Sequence, residues 1–386
     1  MSWEIVTLGD VADIFSGYAF KSADMNPEEG TPLIKIKNIA DSAVSHQCDA
    51  FLNKDFDLSK YERFHLLRDD FLVAMTGQGS VGRIGKMRSY RPGYYVNQRV
   101  AIVRVNPQKA NPVFVYYQIA TKSNEIELFN KANGAGQPNI SAKQIGELPI
   151  LLPPVTAQRY IADTLSAYDD LIENNQKQIK LLEEAAQRLY KEWFVDLRFP
   201  GHETTLITDG IPEGWAEGTL ADLAVFKRGK TITKGQVNEG SVPVVAGGLE
   251  PAYYHDTPNT EAPVITVSGS GANAGFTRMY YTKVWASDCS YIDVSVTPDI
   301  AWVYCFLKEN KASIDSMQKG AAHPHVYAKD LNAMKVVIPC ASLMERFRIV
   351  AEAMFSKIGK LEKQIKQLTE ARDRLLPKLM NGEIEV

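Results

Sequence analysis

Nothing in this chain provides for a membrane helix. It has no run of eighteen apolar residues, whereas a spanning helix needs about twenty. Its first residues, MSWEIVTLGD, lack the basic and apolar regions of a secretory signal, so a cytoplasmic location is the expectation. Cysteine is scarce. Cys48, Cys289, Cys305 and Cys340 lie far apart, without the close pairs that a zinc site needs, which points to reduced, buried thiols and no metal. Motifs of chemistry are missing too: no G-x-x-x-x-G-K-[ST] phosphate loop, no NPPY-like or DPPF-like tetrapeptide, no carboxylate-lysine nuclease cluster and no G-x-S-x-G elbow. Nor is there an excess of positive charge. A net charge of −3 argues against nucleic-acid binding by bulk charge, while leaving room for local basic faces. What remains is a chain of 386 residues, 45% hydrophobic, enough for two or three domains with buried cores.

The clearest positive signal is a repeat. Residues 177 to 189, KQIKLLEEAAQRL, return as KQIKQLTEARDRL at 363 to 375, with nine of thirteen positions identical at an offset of 186. In the first copy, Ile161, Leu165, Tyr168, Ile172, Ile179, Leu182, Ala186, Leu189 and Trp193 alternate in steps of four and three, interrupted only by Asn175. The second keeps the register at Phe347, Ala351, Met354, Ile358, Leu361, Ile365, Leu368, Leu375 and Leu379, interrupted by Arg372. This is a heptad seam. It predicts two rods roughly 55 to 60 Å long at about 1.5 Å per residue. A narrow apolar stripe is buried most simply if the two helices pair, with Asn175 and Arg372 setting register. Ser342 and Glu345 form a potential capping box for the second helix. The first is expected to end at Arg198 to Gly201, the second at Asn381 and Gly382.

The repeat reaches beyond the helices. Residues 3 to 17 match 215 to 229 at an offset of 212, pairing Trp3 with Trp215, Thr7 with Thr219, Leu8 with Leu220, Asp10 with Asp222 and Gly17 with Gly229. Pro32 and Pro243 open the strand-like runs LIKIKNI and VVAGG. LPILLPP at 148 to 154 and MKVVIP at 334 to 339 read as closing strands stopped by proline. The organisation is therefore α+β: two related β-rich domains (1–152 and 201–338), each followed by a long helix (153–200 and 339–386), the helices forming an antiparallel coiled coil with pseudo-two-fold symmetry. The difference between the two offsets makes the second globular part 26 residues shorter.

Each half has a strand running into a glycine loop, VAMTGQG at 73 to 79 and ITVSGSG at 265 to 271. Gly77, Gly79 and Gly82 spell a dinucleotide-binding fingerprint, but no helical periodicity or acid at the required distance follows, and the second copy lacks the third glycine. Charge offers a different reading. No acid occurs between Asp70 and Glu125, while Arg83, Lys86, Arg88, Arg91, Arg99, Arg104, Lys109 and Lys122 do, interleaved with Tyr90, Tyr94 and Tyr95. Cations suit phosphates, whereas base edges need planar donors and acceptors such as arginine, asparagine and glutamine. A solvated loop with no partner is the plain alternative.

The candidates for DNA contact in the first half are Lys35, Lys37, Thr76, Gln78, Ser80, Arg83, Lys86, Arg88, Arg91, Asn97, Gln98, Arg99, Gln137, Asn139 and Lys143. Those in the second half are Lys227, Arg228, Lys230, Ser268, Ser270, Asn273, Arg278, His323, His325 and Lys329. The loops 133 to 145 and 319 to 331 align at the helix offset, keeping Gly134 with Gly320, Pro138 with Pro324 and Lys143 with Lys329 while exchanging Gln137 and Asn139 for His323 and His325. A shared scaffold presenting different recognition groups has this pattern. A metal reading of the two histidines lacks a third ligand, and turn or capping roles stay open for them.

The order of globular part and heptad helix, twice over, together with LYKEWFVDLRFPG at 189 to 201 and ARDRLLPKLMNGEI at 371 to 384, resembles the specificity (S) subunit of type I restriction-modification systems over essentially the full length. The resemblance implies two target-recognition domains, each reading one half of a split double-stranded DNA site, held by a coiled coil that docks two methyltransferase (M) subunits and, through them, restriction (R) subunits. It also implies that the chain has no catalysis of its own and no cofactor, S-adenosylmethionine and ATP with Mg being expected only on the partners. Two major-groove contacts on one DNA face lie about 34 Å apart, a distance that a rod of the predicted length can span. The alternatives at this point are a coiled-coil scaffold whose β-rich domains bind proteins or glycans, and a nucleotide site at Gly77 to Gly82.

Overall fold

The structure, a computed structural model, describes residues 3–134, 136–318 and 324–384. It divides into two compact units, Met1–Leu171 with Leu368–Val386, and Ile172–Gln367.

In the first unit, Phe71–Ala74 and Val100–Val105 are the central antiparallel strands of a six-stranded sheet, flanked by Ala12–Ser16 on one side and Ile84–Lys86 on the other. Both central strands are apolar at every position but Arg104, because both of their faces are covered. Phe71, Val73, Ala101 and Val103 face a core that includes Leu8, Phe114, Ile145 and Ile161. Leu72, Ala74, Val100 and Ile102 face a second core with Ile34, Ile39, Leu66 and Val96. The two-residue period of a strand produces this split. Tyr95–Val96 pairs in parallel with Thr31–Ile34, and the first strand, Glu4–Thr7, pairs with the last, Pro149–Leu152.

The second unit repeats the plan. Lys227–Arg228, Cys289–Asp293, Val264–Ser268 and Thr277–Tyr280 form its main sheet in the corresponding order. Trp285–Ala286 pairs in parallel with Val242–Val245, and Ala216–Thr219 pairs with Lys335–Ile338. The strand pairs that the first unit has and the second lacks involve Met25–Asn26, Ile39–Ala40 and Ala43–Val44. The run LIKIKNI is strand only to Ile34, followed by a 3-10 turn at Ile36–Asn38. Gly82 leads into the strand Ile84–Lys86, antiparallel to the one before it. A dinucleotide fingerprint requires a helix there, so the fingerprint reading is excluded by topology.

Gly17 and Gly229, paired by the repeat, have the same task. A Cβ on Gly17 would overlap the Val96 carbonyl, and one on Gly229 the Ser287 carbonyl. In each case two backbone segments cross with no room for a side chain.

The two long helices, Val155–Phe194 and Ala341–Met380, have 40 residues each. Within the second unit they run antiparallel: Trp193 packs on Phe347 with ring centroids 6.1 Å apart, and Asn175 Nδ2 donates to Gln364 Oε1 at 3.4 Å. Ala186, Ala351, Ile358 and Phe347 complete that core. Within the first unit, Ile161 and Leu165 share a core with Leu379 and Met380. There Arg372 donates to Asp169, whose other oxygen accepts from Tyr117 Oη at 2.7 Å. Burial, reinforced by the Asp169 charge, raises the Tyr117 pKa well above the usual phenol value. Both polar intruders in the heptad seam thus have a partner on the facing helix.

The helix ends differ in part from expectation. The second helix closes with paired bonds from Glu383 N–H to Lys378 O and from Gly382 N–H to Leu379 O, with Gly382 at φ 70°, a Schellman motif at the expected place. The first helix stops at Phe194, before Arg198, because Leu197 takes a left-handed conformation with φ 56°. At the start of the second helix, Leu343 and Met344 donate to Cys340 O, so Cys340 is the cap and Ser342 already lies inside the helix. The Ser342–Glu345 box does not form.

Arg372→Ala strands a mostly buried carboxylate, and a loss of about 3 kcal/mol in the first unit is expected, read as a lowered urea midpoint. The double variant with Asp169→Asn should recover part of that loss. Gly229→Ala is expected to destabilise the second unit by about 2 kcal/mol. Hydrogen exchange should then quicken at residues 286–290 and stay unchanged at 97–100.

Candidate nucleic-acid interface

The glycine loop of the first unit follows Phe71–Ala74 and is held almost wholly by main-chain bonds. Met75 N–H donates to Arg99 O at 2.9 Å, Ile140 N–H to Met75 O at 2.9 Å, and Gly77 N–H to Pro138 O at 3.2 Å. Gln98 N–H donates to Tyr18 O at 2.9 Å. Segments distant in sequence, near 18, 77, 98 and 138, thereby become one loop cluster at one end of the sheet. Gly77 and Gly79 have φ of 105° and 73°, a region that side chains disfavour. Because backbone bonds hold the cluster, its side chains are left over for outside partners.

Gln78, Gln98, Arg99, Gln137 and Asn139 are exposed here, with Thr76, Ser80, Arg83 and Asn97 half-buried beside them. Arg83 and Arg99 side chains have no ion pair among the described residues. The Thr76 hydroxyl is buried with no hydrogen-bond partner among the described residues. Asn97 N–H donates to Ile34 O at 3.0 Å, which places Lys35 next to Asn97.

Other candidates are placed elsewhere. Lys86 lies opposite Phe71, at the far end of the strand from the glycine loop, and bonds Asp69 at 3.1 Å. Arg88 and Arg91 follow it at that end, exposed. Lys37 is ion-paired with Asp49. Lys143 sits on the short helix Ala142–Gly146, beside Thr7 and Gly9. Three further bases of the acid-free stretch are engaged internally. Arg104 grips Asp70 through two bonds of 2.9 and 2.7 Å, Lys109 donates to Asp10 O at 2.8 Å, and Lys122 pairs with Glu125 at 3.1 Å. Folding brings in acids from outside the stretch, so its linear charge overstated the basic surface.

The second unit builds the equivalent cluster. Gly269 N–H donates to Asp288 O at 3.2 Å, Gly271 N–H to Pro324 O at 3.1 Å, Val326 N–H to Gly269 O at 3.2 Å and Gly229 N–H to Cys289 O at 2.8 Å. Lys227 and Arg228 are exposed on the edge strand, and Lys230 lies 5.9 Å over the Trp285 ring. His325 stacks on Tyr327, with ring centroids 5.7 Å apart and planes 11° from parallel, and Lys329 lies over the same ring at 5.8 Å. Asn273 ends a 3-10 turn, half-buried. His323 lies outside the described residues.

Three candidates there serve the fold. Ser268 Oγ donates to Gly247 O at 3.1 Å, and Ser270 Oγ donates to the Asp288 carboxylate. Arg278 stacks on Tyr280 at 4.8 Å and donates to Leu249 O at 3.2 Å. The sequence reading passed over Asp288, although it is the first acid after Glu261 and so stands out in an acid-poor stretch. It also passed over Tyr18, whose carbonyl ties the first cluster together.

Cys289 and Cys305 are buried, whereas Cys48 and Cys340 are only half so. All four are free thiols. Burial pushes Cys289 up to about 12 and Cys48 up to about 11. Among the described residues no group of three potential metal ligands occurs, and no helix is long and apolar enough to cross a membrane.

The type I restriction modification DNA specificity domain matches residues 1–184. The chain is 28% identical over 301 residues to the type I restriction enzyme MjaIX specificity subunit of Methanocaldococcus jannaschii, covering 71% of this chain and 69% of that one. It is 24% identical over 407 residues to the putative MjaX specificity subunit of the same organism, covering 100% of this chain and 94% of that one. The fold is shared with the type I restriction-modification S subunit of M. genitalium, with a TM-score of 0.66 at 20% identity over 98% of this chain and 96% of that one. Residues 1–184 thus match a type I restriction modification DNA specificity domain, and the chain as a whole is similar to type I restriction enzyme specificity subunits.

Proposed function

We propose that the chain reads a bipartite double-stranded DNA site, one part with each loop cluster, and carries no catalysis itself. The observation that supports this most is the repeated cluster. Main-chain bonds build the same scaffold in both units, yet Arg99, whose carbonyl accepts from Met75 N–H in the first, corresponds to Asp288, whose carbonyl accepts from Gly269 N–H in the second. A fixed frame with exchanged polar groups is what reading two different sequences requires. In the first cluster the proposed base-reading groups are Gln78, Asn97, Gln98, Arg99, Gln137 and Asn139, with Lys35, Ser80 and Arg83 toward the backbone. In the second they are Arg228 and His325, with Lys227, Lys230, Asn273 and Lys329 beside them. Phosphate contacts position such a protein and base contacts specify.

The long helices are proposed to dock methyltransferase subunits, two per chain by the internal repeat, with restriction subunits joining through them. S-adenosylmethionine, ATP and Mg would then reside on those partners. No observation favours protein or glycan recognition by the β-rich units.

Binding to a cognate duplex, measured with the methyltransferase partner present, should weaken steeply with salt, as phosphate contacts require. Affinity that is indifferent to salt, or equal for every sequence, would refute the proposal. Arg99→Ala is expected to cost about 1 to 3 kcal/mol and to relax one position of one half-site. Lys86→Ala should change DNA affinity little, because its ammonium is already held by Asp69. Exchanging residues 1–150 for those of a relative should alter one half-site only, as read by methylome sequencing.

A further inference from the structure

In the second unit, residues 287 and 288 stand where Asn97 to Arg99 stand in the first, one residue shorter, with Asp288 O accepting from Gly269 N–H as Arg99 O accepts from Met75 N–H. Both segments follow a two-residue strand paired in parallel, Trp285–Ala286 and Tyr95–Val96. Both are crossed by a glycine that cannot carry a side chain, Gly229 and Gly17. Both then enter the strand beside the glycine-loop strand. Where the first unit presents the Gln98 amide and the Arg99 guanidinium, the second presents the carboxylate of Asp288.

That carboxylate lines a cleft of about 180 Å³ together with Arg228, Gly269, His325 and Tyr327. Its Oδ2 accepts from the Ser270 hydroxyl, which orients the group, while Oδ1 has no hydrogen bond among the described residues. Arg228 lines the same cleft and has no ion pair among the described residues. A carboxylate in a surface that approaches phosphates is repelled by them, unless it meets a donor. In the major groove the bases donate only through amino groups, and Asp or Glu suits cytosine N4 while Arg suits the O6 and N7 of guanine. A C·G pair offers both groups side by side, matching the adjacent carboxylate and guanidinium.

We propose that Asp288 is a base-reading residue, accepting a hydrogen bond from the exocyclic amino group of a cytosine in the part of the DNA site contacted by the second unit. This rests on the DNA-reading function proposed above and adds the base and the residue that selects it.

The test is selection and sequencing of a randomised duplex library with the full-length chain and its methyltransferase partner, for the wild type and Asp288→Asn. Asparagine keeps the shape and an acceptor for Ser270 but replaces the second acceptor by a donor. Cytosine preference at one position should fall about 5- to 150-fold, with the other half of the site unchanged. If Asp288 only braced Ser270, every sequence would weaken alike and the motif would stay intact, which overturns the proposal. Loss of preference for adenine in place of cytosine overturns it as well. Should Asp288→Asn fail to fold, Ser270→Ala leaves the carboxylate in place but frees its orientation, and cytosine preference should relax at the same position. An unchanged motif in that variant would also count against the proposal. A wild type that selects no sequence at all would instead sink the DNA-reading function itself, so the two failures are distinguishable.

Discussion

The main-chain hydrogen bonds that close each loop cluster are the constraint on which the proposed function depends. Loops rich in glycine have little packing of their own, and an unpaired backbone group near a core is costly. Here Met75 bonds Arg99 and Ile140 while Gln98 bonds Tyr18 in the first unit, and Gly269 bonds Asp288 and Val326 while Gly271 bonds Pro324 in the second. The backbone geometry is thus independent of the side chains it displays. Side chains can then be exchanged without loss of the frame, which is what the proposed reading of two different half-sites needs.

The same separation applies to the long helices. Their apolar seam supplies the association, while its two polar members determine alignment. Asn175 meets Gln364 within the second unit, and Arg372 meets Asp169 within the first. Polar partners of this kind cost stability where they are mispaired, so they disfavour slipped registers that an all-apolar seam would tolerate. Tyr117 extends the Asp169 pair into the globular part of the first unit, tying helix position to the β-rich core by a buried hydrogen bond.

Charge behaves differently from either. A linear stretch without acids is not a basic surface, because an ion pair needs proximity in space alone. Asp70 lies just outside the stretch in sequence and yet neutralises Arg104 inside it. Lys86 is similarly consumed by Asp69. In the first cluster Arg83, Arg99 and the neighbouring Lys35 are left for an outside partner, and they stand among amides. Such a surface leans on hydrogen-bond geometry more than on charge density, in keeping with a net charge of −3.

The sequence by itself determined the elements that repeat. Heptad spacing, the prolines that end the closing strands, and Gly17 with Gly229 were all legible, because each follows from local geometry: a helical period, a missing N–H, a missing Cβ. The resemblance to type I specificity subunits rested on the twofold order of globular part and heptad helix and on the helix-end stretches 189–201 and 371–384. Tertiary structure alone decided which polar groups remain available. Ser268, Ser270 and Arg278 are used within the fold and Asp288 stands beside the glycine loop, since those outcomes depend on partners that come together only when the strands pair. The capping of the second helix by Cys340, and the stop at Leu197, likewise depended on how the chain enters and leaves its neighbours, a relation that no local pattern carries.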